Sequence, residues 1–137
     1  MLIHEELSST IIGAGMTVLN ELRPGLDEKL YERALIIELT ERGCTLDQQK
    51  IFPLYFKTHL IGNLVPDLVV NGLVIVDPKV VTSFVETHIA QMLGYLAISG
   101  LELALLLNFK NAKLEWKRVI RRSSPSELSV KSAVKFL

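Results

Sequence analysis

The chain has 137 residues, with fifteen Lys plus Arg against fifteen Asp plus Glu, so its formal net charge is zero. That length fits one domain of ~100 to 150 residues and excludes two. The charge balance excludes a global field drawing the chain to nucleic acid or an anionic membrane, so any basic footprint is local. Hydrophobic residues at 49% and charged residues at 22% supply one core and exclude disorder as the overall state. The longest apolar stretches, around residues 64–76 and 101–109, are interrupted by Asp67, Asn71, Gly72 and Glu102, and neither reaches the ~18 apolar residues of a membrane span. Residues 1–8 carry acid where a secretory signal needs a basic start, so the cytoplasm is the expected compartment. The single cysteine, Cys44, cannot form an intramolecular disulfide and reads as a small buried hydrophobe.

Ser8 or Ser9 is placed to cap a first helix over residues 9–22, with Ile12, Met16, Leu19 and Leu22 at helical spacing and Pro24-Gly25 as its stop. Leu26, Leu30, Ala34, Ile37 and Glu41 fall on one face of a second helix, its apolar members facing inward and Gly43 ending it in a left-handed conformation. Residues 45–49, 52–57 and 60–62 read as short strands. Residues 64–70 and 73–81 flank Asn71-Gly72, the dipeptide suited to a two-residue hairpin turn. Both of these strands are almost continuously apolar, as in a sheet covered on both faces, which predicts helices on each side. A third helix over residues 84–99 stops at Gly100, residues 101–108 are expected to be a strand, and 114–121 an edge strand. Residues 123–131 read as a Ser-rich loop, and the last six residues either dock or fray. The sum is a single α/β domain whose core spans about residues 5–121, with a tail over 122–137.

Three ionisable residues interrupt the apolar hairpin: Asp67 on its first strand, Asp77 and Lys79 on its second. Burying such groups is costly unless they are paired or hold a cation. Asp77 and Lys79, two apart, share a face. A two-residue turn sets residue 67 opposite 76, diagonal to Asp77. Two converging carboxylates beside a lysine can hold a divalent cation and orient a water for attack on phosphorus. A self-satisfied ion pair between Lys79 and an aspartate accounts for the same spacing equally well.

The pattern Pro66-Asp67 followed by Asp77-Pro78-Lys79 resembles the PD-(D/E)XK nuclease superfamily, and Gly25-Leu26-Asp27-Glu28-Lys29-Leu30-Tyr31 resembles the signature of the GxxExxY family within it. Gln49, His88 to Gln91, Tyr95 and Leu106 to Phe109 extend the likeness over roughly residues 5–121. The resemblance implies a restriction-endonuclease-like core, a mixed central sheet flanked by helices with an extra N-terminal helix. It also implies a metal-dependent nuclease working with Mg²⁺ or Mn²⁺. Glu28, Asp67 and Asp77 then stand as metal-binding acids, Lys79 as the lysine that positions or activates water, and Gln91 as a polar helix residue near the site. Nucleic acid is the implied partner, DNA ahead of RNA, and a homodimer would let the enzyme reach both strands of a duplex. Asp77-Pro78 departs from the usual Glu followed by an apolar residue, and Val65 stands where relatives tend to carry Arg. A catalytically impaired nuclease fold that binds nucleic acid or protein is therefore the alternative.

His88, Gln91 and Tyr95 share one face of the third helix, either over the site or as a solvated stripe. Glu28 falls in a first helical turn, where the dipole favours an acid regardless of function, and Tyr31 reads as a packing residue. The one local basic cluster is Lys110, Lys113, Lys117, Arg118, Arg121 and Arg122. It reads either as an electrostatic groove for a polyanion or as the charged face of an edge strand. Trp116 is expected in the core, with stacking on a base as the alternative.

Overall fold

The computed structural model describes residues 2–121. Its elements in chain order are α1 (Glu5–Leu22), α2 (Glu28–Glu41), β1 (Leu46–Gln48), β2 (Phe52–Phe56), β3 (His59–Leu64), β4 (Leu68–Val70), β5 (Val74–Lys79), α3 (Glu86–Ser99), β6 (Leu103–Asn108) and β7 (Glu115–Ile120). The expected Ser-rich loop and the C-terminal residues lie outside the described residues. No helix among the described residues is long and apolar enough to cross a membrane.

The first helix begins earlier than expected. Glu5 and Glu6 occupy its first turn, where acids complement the helix dipole. Ser8 lies inside the helix rather than capping it, with its hydroxyl donating to the Glu5 carbonyl at 3.1 Å. The inward stripe is Ile11, Ala14, Gly15, Val18 and Leu19, whereas Met16 and Leu22, expected inside, are exposed. The small residues set this rotation: a Cβ on Gly15 would stand 3.0 Å from a Leu114 methyl and 3.4 Å from one of Leu107. A larger residue there would push the helix off the sheet. On α2 the buried residues are Tyr31, Leu35 and Leu39, while Leu30 and Ile37 of the expected face stay exposed. The helix is turned by one residue, ~100°, from the expected orientation. Gly43, at φ +90, ends α2 as expected.

Five strands form one sheet in the order β1-β4-β5-β6-β7. All neighbours are antiparallel except β5 and β6, which run parallel and are joined through α3. Alternate residues feed two cores. Leu68, Val74, Val76, Leu105 and Leu107 pack with α1 and α2, and Val69, Ile75, Ala104 and Leu106 pack with α3. This is the expected mixed sheet between helical layers. Residues 52–64 depart from it, because among the described residues β2 and β3 pair only with each other as a separate hairpin.

The central hairpin differs from expectation by one residue. Asn71 and Gly72, at φ +54 and +68, form the turn, and the Leu73 amide donates to the Val70 carbonyl at 2.9 Å. The ladder then pairs Val70 with Val74, Val69 with Ile75 and Leu68 with Val76. Leu73 is thus an extra residue on one strand, left exposed, and the turn is a hairpin with a bulge. Continued one step, this register sets Asp67 opposite Asp77 rather than opposite Val76. Residues directly opposite share a face of the sheet, and a one-residue slip reverses faces. The bulge at Leu73 therefore brings the two carboxylates to the same side, the side covered by α3.

Candidate active site

Asp77 is almost fully buried, at 6% exposure, and the Lys79 ammonium lies 3.3 Å from its Oδ2. The Asp77 pKa is raised from 3.8 to about 7, with burial as the largest cause. A hydrogen bond with the Asp67 carboxyl adds to the rise, and the Asp67 charge adds further, while Lys79 opposes it. Sequence reasoning placed these three residues together, and the ladder unites them at the C-terminal end of β5.

Pro78 does not disrupt the strand. The pairing of β5 with β6 runs unbroken from Val74 with Leu103 to Lys79 with Asn108. The Phe109 amide donates to the Lys79 carbonyl at 2.8 Å, so the backbone polar groups of Lys79 face β6. Those of Pro78, one residue away, face the opposite edge. Pairing of β4 with β5 ends at Val76, so the missing N–H of Pro78 removes no ladder bond. On that same edge the Val80 amide donates to Glu28 Oε1 at 3.3 Å.

Glu28 thus reaches the site from α2 and meets the backbone just beyond Lys79. One turn later on the same helix face, Glu32 has a raised pKa, first from burial and then from the Asp67 charge, with Lys29 opposing. Sequence reasoning missed Glu32. Its spacing of four residues after Glu28 carried the signal, since i and i+4 share a face. Tyr31, between them, holds the chain entering α2. Its hydroxyl donates to the Arg23 carbonyl at 2.6 Å and accepts from the Leu26 amide at 3.1 Å. Its ring stacks on Phe109 at 4.9 Å between centroids. The packing role expected for Tyr31 is correct, and it fixes where Glu28 and Glu32 start.

From α3, Tyr95 has its pKa raised by burial and then by the charges of Asp77 and Asp67, which it faces. Gln91, exposed, donates to the Tyr95 hydroxyl at 3.2 Å. His88 does separate work: its Nδ1 accepts the Val85 amide at 3.1 Å at the start of α3. Asn108 closes the other side. Its Oδ1 accepts the amides of Val81 and Lys110, and its Nδ2 donates to the Val81 carbonyl and Glu115. These four bonds lock the chain after β5 to the chain after β6.

The basic cluster is divided. Arg118 donates to the Ser8 hydroxyl and the Ile3 carbonyl, both at 2.7 Å, pinning the start of α1. The Arg121 amide donates to the Glu102 carbonyl, at the sheet end opposite the carboxylates, and Arg122 lies outside the described residues. Lys110 and Lys113 are exposed in the connection after Asn108, at the carboxylate end. Lys117 pairs with Leu106, which pairs with Asp77. It therefore shares their face two strands away, about 10 Å. Trp116, expected in the core, is 43% exposed.

Among the described residues no cluster of three or more His, Cys, Asp or Glu side chains is arranged to hold a metal ion. Two carboxylates in contact are nonetheless a hard-oxygen pair of the type Mg²⁺ accepts, since that ion is usually held by one or two carboxylates and completed by water and phosphate. No curated protein and no solved structure matches the chain. A family model of the PD-(D/E)XK nuclease superfamily matches residues 5–119. With that match across most of its length, the chain belongs to the PD-(D/E)XK nuclease superfamily.

Proposed function

We propose that the protein is a nuclease that hydrolyses phosphodiester bonds with Mg²⁺ or Mn²⁺. One observation carries this reading: Asp77 is buried opposite Asp67 with the Lys79 ammonium 3.3 Å from its carboxylate, an arrangement that raises its pKa. A carboxylate pair costly to ionise in isolation is relieved by a divalent cation. Asp67 and Asp77 would hold the ion, which when bound supplies charge neutralisation on the phosphate and a more acidic water. Lys79 orients water or a phosphate oxygen. Glu28 and Glu32 border the site from α2, and Tyr95 with Gln91 from α3. Lys110, Lys113 and Lys117 supply the cationic approach for the substrate backbone. The narrower likeness to the GxxExxY group rests on Gly25, Glu28 and Tyr31, and DNA is the favoured substrate.

A cleavage panel of single-stranded, duplex and branched DNA plus RNA, with Mg²⁺ and Mn²⁺, tests the reading against Asp67→Ala. Cleavage by wild type that disappears in the variant is the expected result, and equal cleavage by both overturns it. The second reading is a nuclease fold that binds without cutting. It is favoured by the lack, among the described residues, of a group of three or more acids, His or Cys arranged to hold a metal ion. Calorimetry separates the two: no divalent binding at millimolar metal supports the inert fold, and a site lost in Asp77→Ala removes it.

A further inference from the structure

Among the described residues the hairpin of β2 and β3 belongs to no larger sheet. Its base is anchored, since Phe52 packs beside α3 with Ile89 and Leu93. Beyond Leu54 its large side chains are exposed. Tyr55, Phe56, Leu60 and Ile61 are 58%, 60%, 58% and 62% exposed. Tyr55 pairs with Leu60 and Phe56 with His59, so adjacent pairs put large side chains on both faces of the tip. A flap folded over the body would bury one of those faces, so this tip is an arm reaching into solvent.

Its charge and its root indicate what it holds. Residues 48–66 contain Lys50, Lys57 and His59 and no Asp or Glu, in a chain whose charges balance over its full length. The Lys57 ammonium lies 5.4 Å from the Phe56 ring centroid, so cation and ring are presented together. Gln48 pairs with Leu68, so both legs of the arm leave the sheet beside Asp67. An acid-free arm carrying aromatic rings suits a polyanion whose bases have accessible faces. A second copy of the chain would bring one cationic arm against another, which is unfavourable. A continuous duplex presents stacked bases and hides the faces that Tyr55 and Phe56 need.

We propose that the β2–β3 tip is a nucleic-acid-gripping arm that stacks unpaired bases on Tyr55 and Phe56, with Lys57 and Lys50 on the adjoining phosphates, and so feeds a single strand toward Asp67. This deepens the nuclease reading and rests on it for the choice of ligand. The test is fluorescence anisotropy with labelled single-stranded and duplex oligonucleotides in EDTA, which prevents cleavage. Wild type is compared with Tyr55→Ala/Phe56→Ala, Tyr55→Phe/Phe56→Tyr and Asp67→Asn. The double alanine variant is expected to bind single strands at least about tenfold more weakly. Its melting curve should not change, because both side chains are exposed. The aromatic swap should restore wild-type binding, and Asp67→Asn is read for cleavage alone. Equal single-strand binding by the double alanine variant overturns the proposal. So does a wild-type preference for duplex, or a wild-type dimer that the alanines split without changing single-strand affinity. Any of these failures leaves the nuclease reading standing if Asp67→Asn still abolishes cleavage. Conversely, weak binding by the alanine variant with full cleavage by Asp67→Asn keeps the arm and removes the nuclease site.

Discussion

Replacing Asp77 by Asn should make the protein more stable at neutral pH while removing its function. Asn keeps the shape of the side chain and a hydrogen bond to Asp67 but removes the ionisable group. In the folded chain Asp77 holds its proton to about pH 7, against an ordinary value of 3.8. Between those limits the folded state binds more protons than the unfolded state, so wild-type stability falls as pH rises through that window. At about 1.4 kcal/mol per pH unit, the interval sets an upper limit of about 4 kcal/mol for the cost of ionising Asp77. Urea unfolding of both proteins from pH 4 to pH 8 reads this directly, because every other titrating group is common to both. The Asn variant should gain on wild type steadily across the window, starting from near equality at pH 4. Adding Mg²⁺ at pH 8 should restore wild type, by about 2.7 kcal/mol at one hundred times its dissociation constant, and leave the variant unmoved. A stability difference that does not change between pH 4 and pH 8 would refute the reasoning, since it would mean that Asp77 is not held protonated by burial and Asp67.

Tyr31→Phe keeps the ring stacked on Phe109 but strands the Arg23 carbonyl and the Leu26 amide. It should cost about 1–3 kcal/mol in urea midpoint analysis and lower cleavage by releasing the rotation of α2 that sets Glu28 and Glu32. Arg118→Ala should lower stability by about 1.5–3 kcal/mol by removing its hydrogen bonds to Ser8 and Ile3, without changing how nucleic-acid binding responds to salt. Lys110→Ala with Lys113→Ala should do the reverse, weakening binding and flattening its salt dependence by roughly 0.7–0.9 in log–log slope for each phosphate no longer neutralised. Pro78→Ala should change stability by less than about 1 kcal/mol and leave metal binding in place, as calorimetry would show, because the restored N–H faces the edge that β4 does not reach.

The candidate site was legible in the sequence because it is made of side chains that a purely apolar sheet would not carry. Asp67, Asp77 and Lys79 stood out against Val, Ile and Leu on both sides, and Asn71-Gly72 marked the turn between them. Their geometry was harder to read. Whether Asp67 faces Asp77 or the opposite side of the sheet depends on Leu73, an apolar residue no different from its neighbours in composition, which the ladder leaves out. Turn dipeptides specify a bend, whereas register follows from which residues the two cores accept, and those cores are assembled from distant segments. The helices show the same limit. Ile12, Met16 and Leu22 keep helical spacing as well as Ile11, Val18 and Leu19 do, and the choice between the stripes was made by Ala14 and Gly15, whose small size lets α1 approach Leu107 and Leu114. On α2 the choice was made by the Tyr31 hydroxyl, which can be buried only where the Arg23 carbonyl and Leu26 amide meet it. That choice carries Glu28 to Val80 and Glu32 toward Asp67. The acids bordering the site from α2 are thus placed by a buried tyrosine that takes no part in the chemistry, and a change that unseats Tyr31 should reach the site through the rotation of α2.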